Sequence, residues 1–237
     1  MHITYCTDYQ EMSKKAASLF REEIQKQPNL LLCAATGSSP EGFYLKLATT
    51  AGRESKLFNQ LRVLKLDEWG GIPENHPVSC EYFLRNRLLE PLSIPPERYI
   101  SFESDPEDPD AECHRIRSQL EREGPIDVCI LGLGLNGHLG LNEPAAKLEP
   151  YCHRTALTEE SLQHSMIASM EAKPAYGLTL GMKEILSSRK IIMLVSGKEK
   201  KRMAEKFLEG SVSTDLPASF LWLHPHVECL VDRGVLE

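Results

Sequence analysis

IDVCILGLGLNGHLGLNEP, residues 126–144, decides how the rest of the chain is read. Its first part, residues 126–131, is apolar apart from Asp127 and of strand length. Such runs belong to strands buried on both faces of a parallel sheet. Its second part is a glycine-rich loop, and residues 132–137 match the dinucleotide-binding fingerprint letter for letter. That fingerprint needs a helix opening at its third glycine. Here Gly140 and Pro144 follow, both hostile to a helix interior, and no strand leads into Glu159, the acid at ribose-binding distance. A nicotinamide site is therefore set aside. The loop offers instead a histidine, His138, at a strand end, with Asn136 and Glu143 close in sequence. A lone histidine is more often structural. The surrounding glycines and a nearby carboxylate favour a proton shuttle whose tautomer is held by its partner.

The same pattern recurs on both sides of this stretch. Residues 30–35 and 191–195 are apolar runs of strand length, residues 61–66 and 227–231 also read as strands, and residues 2–6 are short and β-prone. Met12, Ala16, Leu19, Phe20 and Ile24 recur at helical spacing after a capping box at Asp8 and Glu11. Phe43, Tyr44 and Leu47, and residues 79–89 and 111–121, give further helices. Strands alternating with helices predict an α/β fold: a single doubly wound, mostly parallel sheet with helices on both faces, in one domain over residues 1–237. Residues 144–176 have weak apolar periodicity and are read as a mobile cover. The acidic, proline-broken residues 103–110 are read as a solvated loop.

Composition narrows the function. The net charge is -7, which disfavours a nucleic-acid partner but leaves room for one small phosphate site. No apolar run approaches the roughly 20 residues that span a bilayer. The N-terminus lacks a basic segment followed by an apolar one. Seven cysteines are scattered singly, with no zinc or redox spacing, so reduced thiols and a cytoplasmic protein are expected. A homo-oligomer is compatible with the sequence, which does not fix the assembly.

In open α/β sheets ligands bind at the carboxyl ends of the strands. Four such ends carry unusual residues. Thr36-Gly37-Ser38-Ser39-Pro40 suits a phosphate, with Gly37 for a tight turn, Ser39 as N-cap and Pro40 in the first turn. No Gly-Lys-Ser/Thr follows, so it is not a Walker loop. An ordinary capped loop is an equally good reading of this motif alone. Asp67-Glu68 places a carboxylate where a general base could sit, although a helix cap or surface pair is commoner for such a dipeptide. The histidine loop is the third end. The fourth, Ser196-Gly197, leads to Lys200, which could meet a phosphate or belong to a solvated basic face. His224-Pro225-His226 lacks a third ligand and is read as a surface turn rather than a metal site.

Together ATGSSP, LDEW, GLGLNGHLGLNEP and SGKEK, in this order over nearly the whole chain, resemble the glucosamine-6-phosphate deaminase family. The glucosamine enzymes usually read Gly-Xaa-Asp-Gly-His and then Phe-Asn-Glu-Pro in the third segment. Asn136, Leu141 and Trp69, with the late segment ASFLWLH, look more like the galactosamine-6-phosphate isomerase branch. The resemblance implies that Asp67 moves a proton between sugar carbons and that His138 opens the pyranose ring. It makes Glu143 and Asn136 the partners of His138. It gives phosphate binding to Thr36, Gly37, Ser38, Ser39 and Lys200. It implies an amino-sugar phosphate as the small-molecule substrate, released as a ketose phosphate and ammonia, by proton transfers that require no metal or redox cofactor. An asparagine at 136 carries no charge, so it would stabilise a histidinium less than the family's aspartate. The family's phosphate-binding arginine, expected near Met166 and Ile167, has no counterpart. His164 and Lys173 are the nearby basic residues, and neither is assigned the role. His153 and Thr155 stand where the glucosamine enzymes carry basic residues for an allosteric sugar. Three alternatives remain beside the galactosamine reading: a glucosamine-6-phosphate deaminase, a 6-phosphogluconolactonase and a non-catalytic sugar-phosphate sensor.

Overall fold

Alternate residues of each central strand feed two different cores, and this alternation explains the layers. In β2 (Leu31–Ala34), β6 (Val128–Gly132) and β9 (Lys190–Val195), Leu31, Cys33, Cys129, Leu131, Ile191 and Met193 point to one face. Leu32, Ala34, Val128, Ile130, Ile192 and Leu194 point to the other. The first face packs under α4 (Pro109–Glu123), α5 (Met182–Leu186) and α6 (Lys201–Leu208), through Ile116, Ile185 and Phe207. The second packs under α1 (Tyr9–Lys26) and α2 (Ser38–Ala51), through Met12, Phe20, Phe43 and Tyr44. A strand covered on both faces has no polar side, which is why these segments read as unbroken apolar runs.

The computed structural model describes every residue except Ser165 and Ser169. Its main sheet has seven parallel strands in the order β1-β10-β9-β6-β2-β3-β5. The outer members are β1 (His2–Cys6), β10 (Val227–Asp232), β3 (Arg62–Lys65) and β5 (Tyr99–Ile100). The expected doubly wound architecture is present. After β2 the chain moves to β3 on one side; it later returns to place β6 on the other. The β2–β6 gap is thus the switch point at which open α/β sheets bind ligands.

A second, three-stranded antiparallel sheet extends the expected single sheet. It is formed by β4 (Asp67–Gly70), β8 (Tyr176–Thr179) and β7 (His153–Thr155). Leu66 divides β3 from β4: its N–H donates to Ala34 in the main sheet, and its carbonyl accepts from Leu180 beside β8. Asp67 therefore opens a new strand rather than ending an old one. A third apolar cluster lies here, with Trp69, Ile72, Cys80, Leu141 and Ile167. Leu157, Leu162, Met166 and Met170 pack against it.

Several local expectations change. Asp8 caps α1 by accepting from Glu11 N–H, but Glu11 accepts from Thr7, one residue before the cap. The stretch 79–89 is α3 (Cys80–Leu84), capped by Ser79, followed by a wider helical turn over Arg85–Leu89. His224 is buried, with Nε2 on the Ser188 carbonyl and Nδ1 accepting from His226 N–H, so it is a satisfied structural histidine rather than part of a surface turn. All seven cysteines are free thiols. No helix among the described residues is long and apolar enough to cross a membrane.

Candidate active site

One cleft at the switch point gathers residues from all four unusual strand ends. Its walls include Thr36, Gly37, Ser38, Ser39, Asp67, Trp69, Gly134, His138, Leu141, Ser161, His164 and Lys200. The geometry divides into a carboxylate end, a histidine end and an anion end.

At the first, Asp67 is buried, and its Oδ1 has no hydrogen-bond partner among the described residues. Burial and the Glu68 charge push the Asp67 carboxyl up to about 7, against the opposing pull of Lys65. Gly140, at φ +57°, brings the histidine loop close: a β-carbon there would stand 3.5 Å from Asp67 Oδ2 and 2.7 Å from Thr179 Oγ1. Glu68 turns away into a sealed network. Its oxygens accept from Lys65 Nζ at 2.8 Å and from the N–H groups of Trp69, Cys80 and Glu81. Glu68 thus caps α3, the commoner reading of that dipeptide, while Asp67 faces the cleft. Lys65, fully buried, also reaches Glu81 Oε2 at 3.0 Å and the Phe102 carbonyl at 2.9 Å.

At the second, His138 Nδ1 lies 3.1 Å from Ser161 Oγ and 3.4 Å from Glu143 Oε2. Ser161 donates its single hydroxyl proton to Glu143 Oε1 in a very short bond. Its oxygen is then an acceptor towards Nδ1, so the ring proton sits on Nδ1 and Nε2 is left as the basic nitrogen. The imidazole lies over Gly134, where any side chain would overlap it. Burial would raise the Glu143 carboxyl, but His138, Ser161 and Asn136 together hold it below the usual carboxylate range. Asn142 fixes the base of the loop by donating to the carbonyls of Leu139 and Leu180, both at 2.8 Å.

Asn136 does not touch the His138 ring in the expected way. Its Nδ2 donates to Glu143 Oε2 at 2.7 Å and to Thr158 Oγ1 at 3.1 Å, and its Oδ1 accepts from the His138 backbone N–H at 3.2 Å. It acts on the imidazole through Glu143. Ser161 and Thr158 were missed by sequence reasoning. They lie in the region of weak periodicity, where nothing marks a serine as the neighbour of a histidine 23 residues away.

At the third end, Gly37 at φ +99° turns the chain out of β2, and α2 starts at Ser38. The predicted N-cap at Ser39 is corrected by this earlier start. Gly37 takes the cap position without a side-chain bond, and Ser39 Oγ instead meets Ser196 Oγ at 3.0 Å and Lys200 Nζ at 3.4 Å. Burial lowers the Lys200 amine from its ordinary value. Thr36 donates to Cys80 Sγ at 3.3 Å. Tyr9, also missed, pins the first turn of α2 by donating to the Ser38 carbonyl at 2.6 Å and accepting from Gly42 N–H at 2.7 Å. The first turn of α2, two serine hydroxyls and a lysine are groups that could receive an anion. Lys173 is used elsewhere, donating to the carbonyls of Ile167 and Ala168.

A family model described as glucosamine-6-phosphate isomerases/6-phosphogluconolactonase matches residues 8–231. The chain belongs to this family. Among members of the glucosamine-6-phosphate isomerase/6-phosphogluconolactonase family, it is 39% identical to "Putative deaminase AgaI" of Escherichia coli strain K12, over 95% of this chain and 89% of that protein. It is 34% identical to glucosamine-6-phosphate deaminase 1 of Bacillus subtilis strain 168, over 98% of this chain and 97% of the relative. The solved structure of a monomeric glucosamine-6-phosphate deaminase of the NagB superfamily superposes with a TM-score of 0.93, at 34% identity and full coverage of both chains. A 6-phosphogluconolactonase from Trypanosoma brucei, at 23% identity and a TM-score of 0.79, shares the fold.

Proposed function

We propose that the cleft isomerises and deaminates an amino-sugar 6-phosphate, and that its preferred substrate is galactosamine 6-phosphate, converted with water to tagatose 6-phosphate and ammonia. One observation carries the reading. A buried carboxyl, pushed to about 7 and with one oxygen unpartnered among the described residues, shares a cleft with a histidine whose tautomer is fixed. Opening a pyranose and moving a carbon-bound proton need these two bases. His138 Nε2 takes the proton of the anomeric hydroxyl and returns it to the ring oxygen, giving the open aldehyde. Asp67 then removes the C2 proton while a proton of the substrate's ammonium group passes to O1, forming an enolamine, and Asp67 returns its proton to C1, leaving an iminium at C2. Water adds to the resulting C2 iminium and ammonia departs, leaving the ketose phosphate. Glu143 stays negative, with Asn136 and Ser161 orienting it, and stabilises the histidinium formed in transit. Thr36, Gly37, Ser38, Ser39 and Lys200 hold the phosphoryl group.

The sugar epimer rests on Asn136, Leu141 and Trp69, where the chain departs from the glucosamine pattern. Leu141 and Trp69 share the third core and both line the cleft. Ammonia release from galactosamine 6-phosphate and glucosamine 6-phosphate, measured side by side, tests the proposal. Faster release from the galactosamine epimer is expected, and no release from either sinks it. Lactone hydrolysis would need the histidine but no carbon base, so it would survive Asp67→Asn.

A further inference from the structure

We propose that His164 is a phosphate-binding residue that donates Nε2–H to the phosphoryl group as a neutral imidazole. This rests on reading the cleft as a sugar-phosphate site.

The ring stands at the anion end. Its Nε2 and Cε1 lie 3.1 and 3.4 Å from the point a β-carbon on Gly37 would occupy, so its edge borders the turn that opens α2. Its tautomer is determined on the other side. Met166 N–H donates to Nδ1 at 3.3 Å, which makes Nδ1 the acceptor and puts the proton of a neutral ring on Nε2. The ring is also held in place, packed against Trp69 with centroids 5.6 Å apart.

The charges around it favour the neutral form. Burial, then His138 on the β6 loop and Lys200 beyond β9, push the imidazole down to about 4. Asp67 from β4 and Glu160 from the same segment line the cleft as well, and the Thr36–Ser39 loop brings no ionisable side chain. Lys200 supplies an amine to the cleft, and His164 supplies a directed N–H. The donor is brought by the segment that also brings Ser161 to His138. The phosphoryl group and the reacting end of the sugar are therefore gripped by one stretch of chain.

Calorimetric titration with glucitol 6-phosphate tests this, because that probe has the phosphoryl group but neither an aldehyde nor an amine. The wild type is expected to bind it. His164→Ala is expected to weaken binding about tenfold, the scale of one lost hydrogen bond to a charged group. His164→Gln, which keeps an uncharged N–H near the same position, is expected to stay within about threefold of wild type. Wild-type affinity in His164→Ala overturns the proposal, as does failure of the wild type to bind. Equal losses in both variants overturn the neutral donor in favour of a cation. Failure of the deaminase reading looks different: no ammonia from either amino-sugar phosphate, with the His164 dependence of glucitol 6-phosphate binding intact.

Discussion

Asp67 lines the cleft and Glu143 contacts His138; both are buried carboxyls, yet their surroundings drive them in opposite directions. Asp67 has an oxygen with no donor among the described residues and an anionic neighbour in Glu68, and is pushed to about 7. Glu143 collects donors from Ser161 and Asn136 beside His138, and sits below its ordinary range. Burial alone would raise both, so the neighbouring charges and donors decide the difference. Separating two carboxyls in this way suits one to act as a base near neutral pH and the other to hold a negative charge. Asp67→Asn attacks the contrast most directly and has the largest expected effect, a fall in turnover of about 10²–10⁴-fold. Its stability effect has the opposite sign. A carboxyl whose folded value lies above its unfolded one costs nothing below the unfolded value, and destabilises increasingly as pH rises through about 7. Asp67→Asn is therefore expected to melt at or above the wild-type temperature at pH 8, measured by calorimetry. A variant that loses both activity and stability would show that Asp67 is a structural group.

Lys65 is the cation that keeps Asp67 from rising further. Lys65→Met would leave Glu68 and Glu81 buried without their shared partner, at a cost of roughly 3–5 kcal/mol. The urea midpoint is expected to fall by the corresponding amount with an unchanged slope. In the folded fraction, the rising limb of kcat/KM against pH is expected to move above the wild-type position near 7. A limb that moves to lower pH would mean that Lys65 does not act on the base through its charge.

The Asp67 half and the Glu143 half also differ in how far they can be read from sequence. The strands β2, β6 and β9 announce themselves because both faces are buried, and the residues just beyond their ends, Thr36 to Ser39 and Gly134 to His138, inherit that clarity. Asp67 was legible as a strand-end carboxyl, but its turn into a second sheet was not. The cause is the buried Lys65–Glu68–Glu81 network, in which charged residues take positions where periodicity expects apolar ones. Ser161 and Thr158 were illegible, and His164 was noticed without being assigned a role, for a different reason. Their segment is anchored by a few apolar side chains under Trp69, spaced by no regular helix or strand, and their partners are distant in sequence.

Ser161 separates the two carboxyls more gently. Ser161→Ala removes one donor from Glu143 and the nearer acceptor from His138 Nδ1. Losing a hydrogen bond of about 1–1.5 kcal/mol should lower kcat about five- to tenfold. KM should hold steady if the hydroxyl serves only to orient the imidazole. A change confined to KM would instead make Ser161 a substrate contact.

Asn136→Asp is the smallest of these changes in volume, and it makes Glu143 more like Asp67. The amide now donates to Glu143 Oε2 at 2.7 Å; a carboxylate there would withdraw the donor and place a like charge at that distance. Both effects raise the Glu143 carboxyl, and two carboxyls so close titrate as a pair that shares a proton. The wild-type carboxyl, held low, contributes stability that is present above its unfolded value and is lost as pH falls through the folded one. The variant is expected to lose that stability at a higher pH than the wild type, by about one unit, which corresponds to roughly 1.4 kcal/mol. Acid unfolding followed by circular dichroism measures the displacement. Coincident acid transitions would show that the amide of Asn136 does not help to keep Glu143 charged, and the contrast with Asp67 would then rest on Ser161 and His138 alone.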